Sequence, residues 1–224
     1  MPTLAIVGAG PGMGLAIART FGSRGFDVAL VSRSRDRLDG LVTGLAADGI
    51  KAGAFPADVL DHEALAGALN DAAARFGGID VLEYSPVPNA ATAAMTLPSQ
   101  TTQADVLRHQ DLGFFGALAA TRAVLPAMRA AGSGTLLYTT GAGSVDPNPM
   151  MGNINAADAA LRNWILNLHK ELAPEGIQAA HVAIGVFIGA TGSAGFPTAM
   201  PDQIAPLYWD LHVHRDQAER VYAG

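Results

Sequence analysis

The segment Val7-Gly8-Ala9-Gly10-Pro11-Gly12-Met13-Gly14 joins an apolar run to an apolar helical pattern. Glycines in such a turn let the chain bend sharply, admit a ligand against bare backbone and let the next helix pack close to a sheet. The helix N-terminus then offers N–H groups to an anion. A phosphate-bearing nucleotide suits this chemistry; a tightly packed strand-to-helix turn without a ligand is the alternative. The spacing Gly-x-Gly-x-x-Gly fails, because Met13 stands where its third glycine would be, whereas Gly8, Gly12 and Gly14 satisfy Gly-x-x-x-Gly-x-Gly. Gly8, Gly10, Gly12, Met13 and Gly14 are thus the expected phosphate cradle. Farther on, Val31-Ser32-Arg33-Ser34-Arg35 ends the next apolar run. An acidic residue there would accept hydrogen bonds from an adenosine ribose, whereas Arg pairs with a 2′-phosphate through its planar fork. Ser32 as hydroxyl donor and Arg33 as cationic clamp therefore predict NADP(H) over NAD(H), with Arg35 read as a solvated residue opening a helix.

These residues need a frame that brings them together. Short β-branched runs at 4–7, 28–31, 52–55, 81–83, 135–139 and 179–184 alternate with helical patterns at 13–24, 35–48, 62–76, 103–131 and 155–173. Alternation at this spacing implies right-handed crossovers and a parallel sheet covered on both faces, a doubly wound α/β fold. No repeat, low-complexity tract or linker divides the chain, so residues 1–224 are expected to form a single domain. The Gly-, Pro- and Ala-rich stretch 189–206 follows the last of these strands, where such sheets carry ligand-covering loops. A substrate lid or an ordinary surface loop fits it.

Several further motifs sit at matching places in this frame: Ile79-Asp80-Val81-Leu82, Gly134-Thr135-Leu136-Leu137, and Ala159-Ala160-Leu161 within a long helix. Together with the glycine spacing they make residues 4 to about 189 resemble the short-chain dehydrogenase/reductase family. The resemblance implies a Rossmann-type fold and a nicotinamide cofactor. It also implies an adenine-edge contact from Asp58 and Val59, although an Asp after a strand also serves as a helix cap. Tyr84-Ser85-Pro86-Val87 stands where the family has Asn-Asn-Ala-Gly, and Gly185-Val186-Phe187-Ile188 replaces its Pro-Gly segment, placing Ser85 and Ile188 in the expected cofactor set. Val7 replaces the usual Thr before the first glycine.

The chemistry departs further. The family's Asn, Ser, Tyr and Lys positions fall on Asp111, Gly141, Ile154 and Asp158. In the family Tyr protonates the carbonyl oxygen, Lys lowers the Tyr pKa and holds the ribose, and Ser orients the carbonyl. Ile154 donates no proton, and Asp158 reverses the charge of Lys. Carboxylates at Asp158 and Asp111 would oppose a developing alkoxide and favour a cation. One expectation is an NADP(H)-dependent oxidoreductase acting on an imine or iminium, an enone or a carbonyl, with Tyr138, Thr140 or Tyr84 as replacement proton donors. The alternatives are a catalytically inactive cofactor sensor or assembly protein, and a nonredox binder or enzyme for another ligand. Asp158 also suits a helix start electrostatically without any ligand, and Asp111 suits a solvated helix. His212-Val213-His214 lacks carboxylate spacing for a metal, and His109 is an acid–base candidate or a polar helix residue.

Composition excludes other classes. Of 224 residues half are apolar, enough for one large core, and the apolar stretches are too broken by Gly to span a bilayer. The N-terminal residues enter a strand without a basic leader, so a cytoplasmic protein with no membrane span is expected. Absence of Cys removes thiolate and disulfide chemistry, and a formal charge of −6 argues against nucleic acid. The expected partners are a small-molecule substrate and further copies of the chain. In the family the helices at 103–131 and 155–173 form dimer or tetramer interfaces. Here they carry Phe114, Phe115, Leu118, Trp164, Ile165 and Leu168.

Overall fold

The computed structural model describes residues 1–87, 94–192 and 197–224. Its seven-stranded parallel sheet is built from β1 (Thr3–Val7), β2 (Asp27–Ser32), β3 (Ala52–Pro56), β4 (Val81–Tyr84), β5 (Gly134–Gly141), β6 (Ile177–Ile184) and a last strand, numbered β9 (Glu219–Tyr222). Their order is β3-β2-β1-β4-β5-β6-β9. Central strands read as continuous apolar runs because both faces are covered: every residue of β1 is buried. Helices α3 (His62–Phe76), α5 (Gly116–Ala131) and α6 (Gly152–Leu172) close one face over Val7, Leu82 and Leu136. Helices α1 (Met13–Gly22), α2 (Arg35–Ala47) and α8 (Pro206–His214) close the other over Ile6, Val28 and Leu137. Local signals agree with this frame. Asp61 caps α3 by accepting from Ala64 N at 3.0 Å, and Gly77 ends it in the left-handed region at φ 90°.

The stretch 103–131 is not one uniform helix. It consists of α4 (Gln103–Gln110), a wide turn over Asp111–Phe115 with i to i+5 bonding, and α5. The cause lies on β4. The Tyr84 hydroxyl donates to the Leu112 carbonyl at 2.6 Å, and a Cβ on Gly116 would lie 2.0 Å from that hydroxyl oxygen. A side chain thus inserts where the helix ladder would run, as π turns require. Gly116→Ala is expected to destabilise the fold by about 1–3 kcal/mol through overpacking; urea denaturation that shows no loss would refute this role for Gly116.

Beyond residue 185 the chain adds a ribbon of β7 (Phe187–Ile188) and β8 (Thr198–Ala199), then α7 (Pro201–Ile204), α8 and β9, elements that periodicity missed. The apolar residues of α8 are spread around the helix, and β9 is an edge strand with charged residues. Of the stretch 189–206, residues 193–196 lie outside the described ones, and the rest contributes β8 and α7. Ile165 and Leu168 face the core rather than a partner, and Phe114 and Trp164 pack partly against it. Among the described residues no helix is long and apolar enough to cross a membrane.

Candidate functional site

Parallel strands leave their C-terminal ends along one edge of the sheet, and a cleft of about 810 Å³ opens there over β1, β2 and β3. Gly8, Gly10, Ser32, Arg33, Asp58 and Val59 line it. Gly8 has φ +98°, and a Cβ there would sit 2.6 Å from Pro86 N, so only glycine lets the turn after β1 close against the end of β4. The turn is held from the other side, where Gly8 N and Ala9 N both donate to the Val31 carbonyl at 3.0 Å. A Cβ on Gly12 would meet nothing within 4 Å, and Gly12 gives α1 an N-cap without a side-chain acceptor. The first turn of α1, opened by Met13 and Gly14, therefore lacks a side-chain cap, with Leu15 N donating to the Gly10 carbonyl at 3.0 Å; the N–H groups ahead of Leu15 suit an anion site. Gly14 keeps that helix close, its Cβ position 3.1 Å from Ala9 Cα.

At the end of β2, Arg33 is exposed and its guanidinium has no hydrogen-bond or ion-pair partner among the described residues, whereas Arg35 is held by Asp39 at 2.9 Å. Arg37 and Ser34 also line the cleft. Arg37 was not singled out from the sequence, although its spacing of four from Arg33 was a visible signal. Asp58 accepts from Leu60 N at 3.1 Å, which fixes the turn after β3 beside the half-buried Ser32. These residues present a cation, hydroxyls and a carboxylate around one opening.

Farther along the edge, at the end of β5, α6 brings Asp158 to Gly141. A Cβ on Gly141 would lie 3.8 Å from Asp158 Oδ2. Burial pushes the Asp158 pKa up to about 7, opposed by a hydrogen bond from the Gly141 backbone. The site thus has a carboxyl whose burial favours the protonated form well above the usual carboxylate range. Behind it runs a chain of polar groups that is buried at Thr140 and His181 and half-buried at Glu219 and Arg162. Thr140 Oγ1 lies 2.8 Å from His181 Nε2, and His181 Nδ1 lies 3.0 Å from Glu219 Oε2. Glu219 is clamped by Arg162 through Nε and one Nη, the latter at 2.8 Å. Burial lowers the His181 pKa, so the neutral ring donates from Nδ1 to Glu219 and accepts from Thr140 at Nε2. Ser144 Oγ donates to the Gly141 carbonyl at 2.9 Å, pinning the same turn.

The structure disperses the other proposed donors. Tyr138 is fully buried, its hydroxyl bonded to Thr121 and its ring edge-on to Trp164, so it belongs to the core and is not brought to the cleft. Thr140 is buried and committed to His181. Tyr84 is committed to Leu112, and burial holds its phenol protonated. Asp111 turns toward His62 on α3, 3.6 Å away, rather than joining Asp158. Ser85 donates to Glu83 at 2.9 Å, and Ile188 sits exposed on the β7–β8 ribbon. His109 is buried at the end of α4, and His212 packs against Trp209 with Thr135 Oγ1 2.9 Å from its Nδ1.

Glu83 escaped the sequence reading, although a carboxylate inside an apolar strand is a signal in itself. It is fully buried, receives Ser85 and, at 3.1 Å, Thr139, and burial pushes its pKa up to about 8. Between about 4.5 and 8 the unfolded chain has released a proton that the folded chain keeps, so stability falls as pH rises through that window. Glu83→Gln is expected to remove most of this decline. Urea midpoints at pH 5 and pH 8 measure it, and an equal fall in both proteins would place the cause elsewhere.

Comparison with known proteins bears on the whole chain. The family model described as short chain dehydrogenase matches residues 2–194. An uncharacterized oxidoreductase of Staphylococcus aureus strain N315 is 29% identical over 196 residues, 86% of this chain and 81% of the relative. The crystal structure of L-sorbose reductase from Gluconobacter frateurii, complexed with NADPH and L-sorbose, superposes with a TM-score of 0.85 at 22% identity over 99% of this chain and 94% of that one. A 7α-hydroxysteroid dehydrogenase complexed with NADH and 7-oxo glycochenodeoxycholic acid gives 0.88 at 21% identity, covering 100% and 93%. At such identities the superpositions establish the fold.

Proposed function

This chain belongs to the short-chain dehydrogenase/reductase family, and from that premise we propose that it is an NADP(H)-dependent reductase of a small-molecule carbonyl, enone or imine that uses Asp158 as its acid. The carrying observation is the raised Asp158 carboxyl beside Gly141, at the position where the family pattern has Lys. Gly8, Gly10, Gly12, Met13 and Gly14 would hold the pyrophosphate, Ser32 and Arg33 the 2′-phosphate, and Asp58 with Val59 the adenine. Bound there, the nicotinamide would supply a hydride to the substrate carbon.

The strand order supports a position for the reacting end. A dinucleotide held at the ends of β2 and β1 would bring its nicotinamide toward the ends of β4 and β5, where Ser85, Gly141 and Asp158 stand. The protonated Asp158 gives its proton to the substrate oxygen or nitrogen, becomes a carboxylate and recovers a proton from water. The Gly141 N–H steadies that carboxylate, and Ser144 fixes the Gly141 turn. With a cationic imine as substrate, the ionised Asp158 instead stabilises the charge that hydride arrival neutralises.

Consumption of NADPH with a panel of ketones, enones and cyclic imines tests this reading; NADPH binding without any turnover would assign the chain as a cofactor sensor. Exposed Phe115, with Leu118, borders a second surface groove of about 450 Å³ and supports association into a homodimer or homotetramer. Light scattering is expected to give a mass above 23.0 kDa, and a Phe115→Asp variant a smaller one; a native monomer would refute this.

A further inference from the structure

Asp158 and Arg162 stand four residues apart on α6, so their side chains share one face of the helix, one turn from each other. An Asp placed four residues before an Arg pairs with it on helices, and the acid-first order is the better one. The pair does not form here. Arg162 reaches instead to Glu219 on β9, bonding its carboxylate through Nε and, at 2.8 Å, through one Nη. Burial raises the Asp158 carboxyl and the Gly141 N–H opposes it, and Arg162 plays no part. The guanidinium is stabilised in its charged form by Glu219.

Glu219 is also held from its other side. His181, fully buried on β6, has its Nδ1 3.0 Å from Glu219 Oε2, and its Nε2 lies 2.8 Å from Thr140 Oγ1 on β5. The register of the sheet makes this contact, since His181 and Glu219 are direct partners along β6 and β9. The bonds from Arg162, and after them the one from His181, hold the Glu219 carboxyl below its usual range. Glu219 is therefore ionised wherever Asp158 exchanges its proton. An ionised carboxylate that offers two oxygens to a planar fork outcompetes a desolvated carboxyl one turn away.

We infer that Glu219 is a positioning residue for the acid: by clamping Arg162 it withholds that cation from Asp158 and leaves the Asp158 carboxyl able to carry a proton. The use of that proton rests on the reductase reading. Released from Glu219, Arg162 would turn back along the helix, pair with Asp158 and convert it into an ordinary carboxylate. His181 and Thr140 serve the same end, because they fix the carboxylate that holds the guanidinium away.

The test is carbon-13 NMR titration of the Asp158 carboxyl in the full chain, its signal identified by its loss in Asp158→Asn. The native midpoint is expected near 7. Glu219→Gln is expected to lower it by about one to three units, the effect of an adjacent Arg on an Asp. The double variant Glu219→Gln, Arg162→Gln should bring it back to the native value, which a merely structural role for Glu219 would not allow. Glu219→Asp keeps the charge but draws the carboxylate back by one methylene; it should give a smaller shift of the same sign, and it serves if Glu219→Gln does not fold. An unmoved midpoint in whichever single variant folds, or a fall that removal of Arg162 does not reverse, overturns the inference. Absence of turnover with every substrate strikes the reductase reading alone, since the titration needs no substrate. Where turnover is present, the alkaline limb of kcat/KM should move with the midpoint.

Discussion

Asp158→Asn is expected to cut kcat/KM for reduction by about a hundredfold to ten-thousandfold, the usual contribution of a positioned general acid, with NADPH affinity retained. The pH profile gives the sharper readout. Since the proton-bearing form does the work and burial sets its pKa near 7, native kcat/KM should be level below that value and fall about tenfold per pH unit above it. The Asn variant should lack this limb, because an amide does not titrate. Stability should move the other way. A carboxyl whose pKa is raised on folding weakens the fold as pH rises from about 3.8 to 7, so the Asn variant should gain relative stability at pH 8. Loss of activity with lost stability would point to a structural role for Asp158, and an unchanged alkaline limb would remove it as the acid. Such an exchange of stability for activity is common at working sites.

Arg33→Ala is expected to weaken NADPH binding about 10- to 100-fold, the span of a charge-assisted hydrogen-bond pair, and to leave NADH binding unchanged. The expectation follows from a guanidinium at the cleft with no partner among the described residues, next to a hydroxyl at Ser32. Arg35→Ala serves as the control, because Asp39 already holds that side chain. Calorimetric titration with NADPH, NADP⁺ and NADH measures all three proteins. Equal affinity for NADH and NADPH in the native chain would overturn the assignment of Arg33. The difference between native and variant should also shrink in high salt, since an exposed cation is screened.

The placement of Arg37 alters the design of that experiment. It lines the same cleft one helical turn after Arg33, so it can take over part of the phosphate contact. The double variant Arg33→Ala, Arg37→Ala should therefore lose more NADPH affinity than the two single losses predict from independent sites.

The sequence by itself determined the local and periodic features: a parallel doubly wound sheet, the glycine turn and the cleft residues from Gly8 to Val59; the proposal that Ile154 and Asp158 replace the family's Tyr and Lys also comes from sequence pattern alone. Those depend on chain neighbours, on burial patterns with a period of two or 3.6, and on residue types that a turn or a helix start demands. Tertiary structure decided the rest, because protonation and partnership depend on groups far apart in sequence. Tyr138 became a core residue through Thr121 and Trp164, and Asp111 parted from Asp158 because Tyr84 widened the helix turn at Leu112. His181 and Glu219, from strands β6 and β9, met Thr140 on β5. The elevated pKa values of Glu83 and Asp158 arise from desolvation, which no spacing in the sequence records.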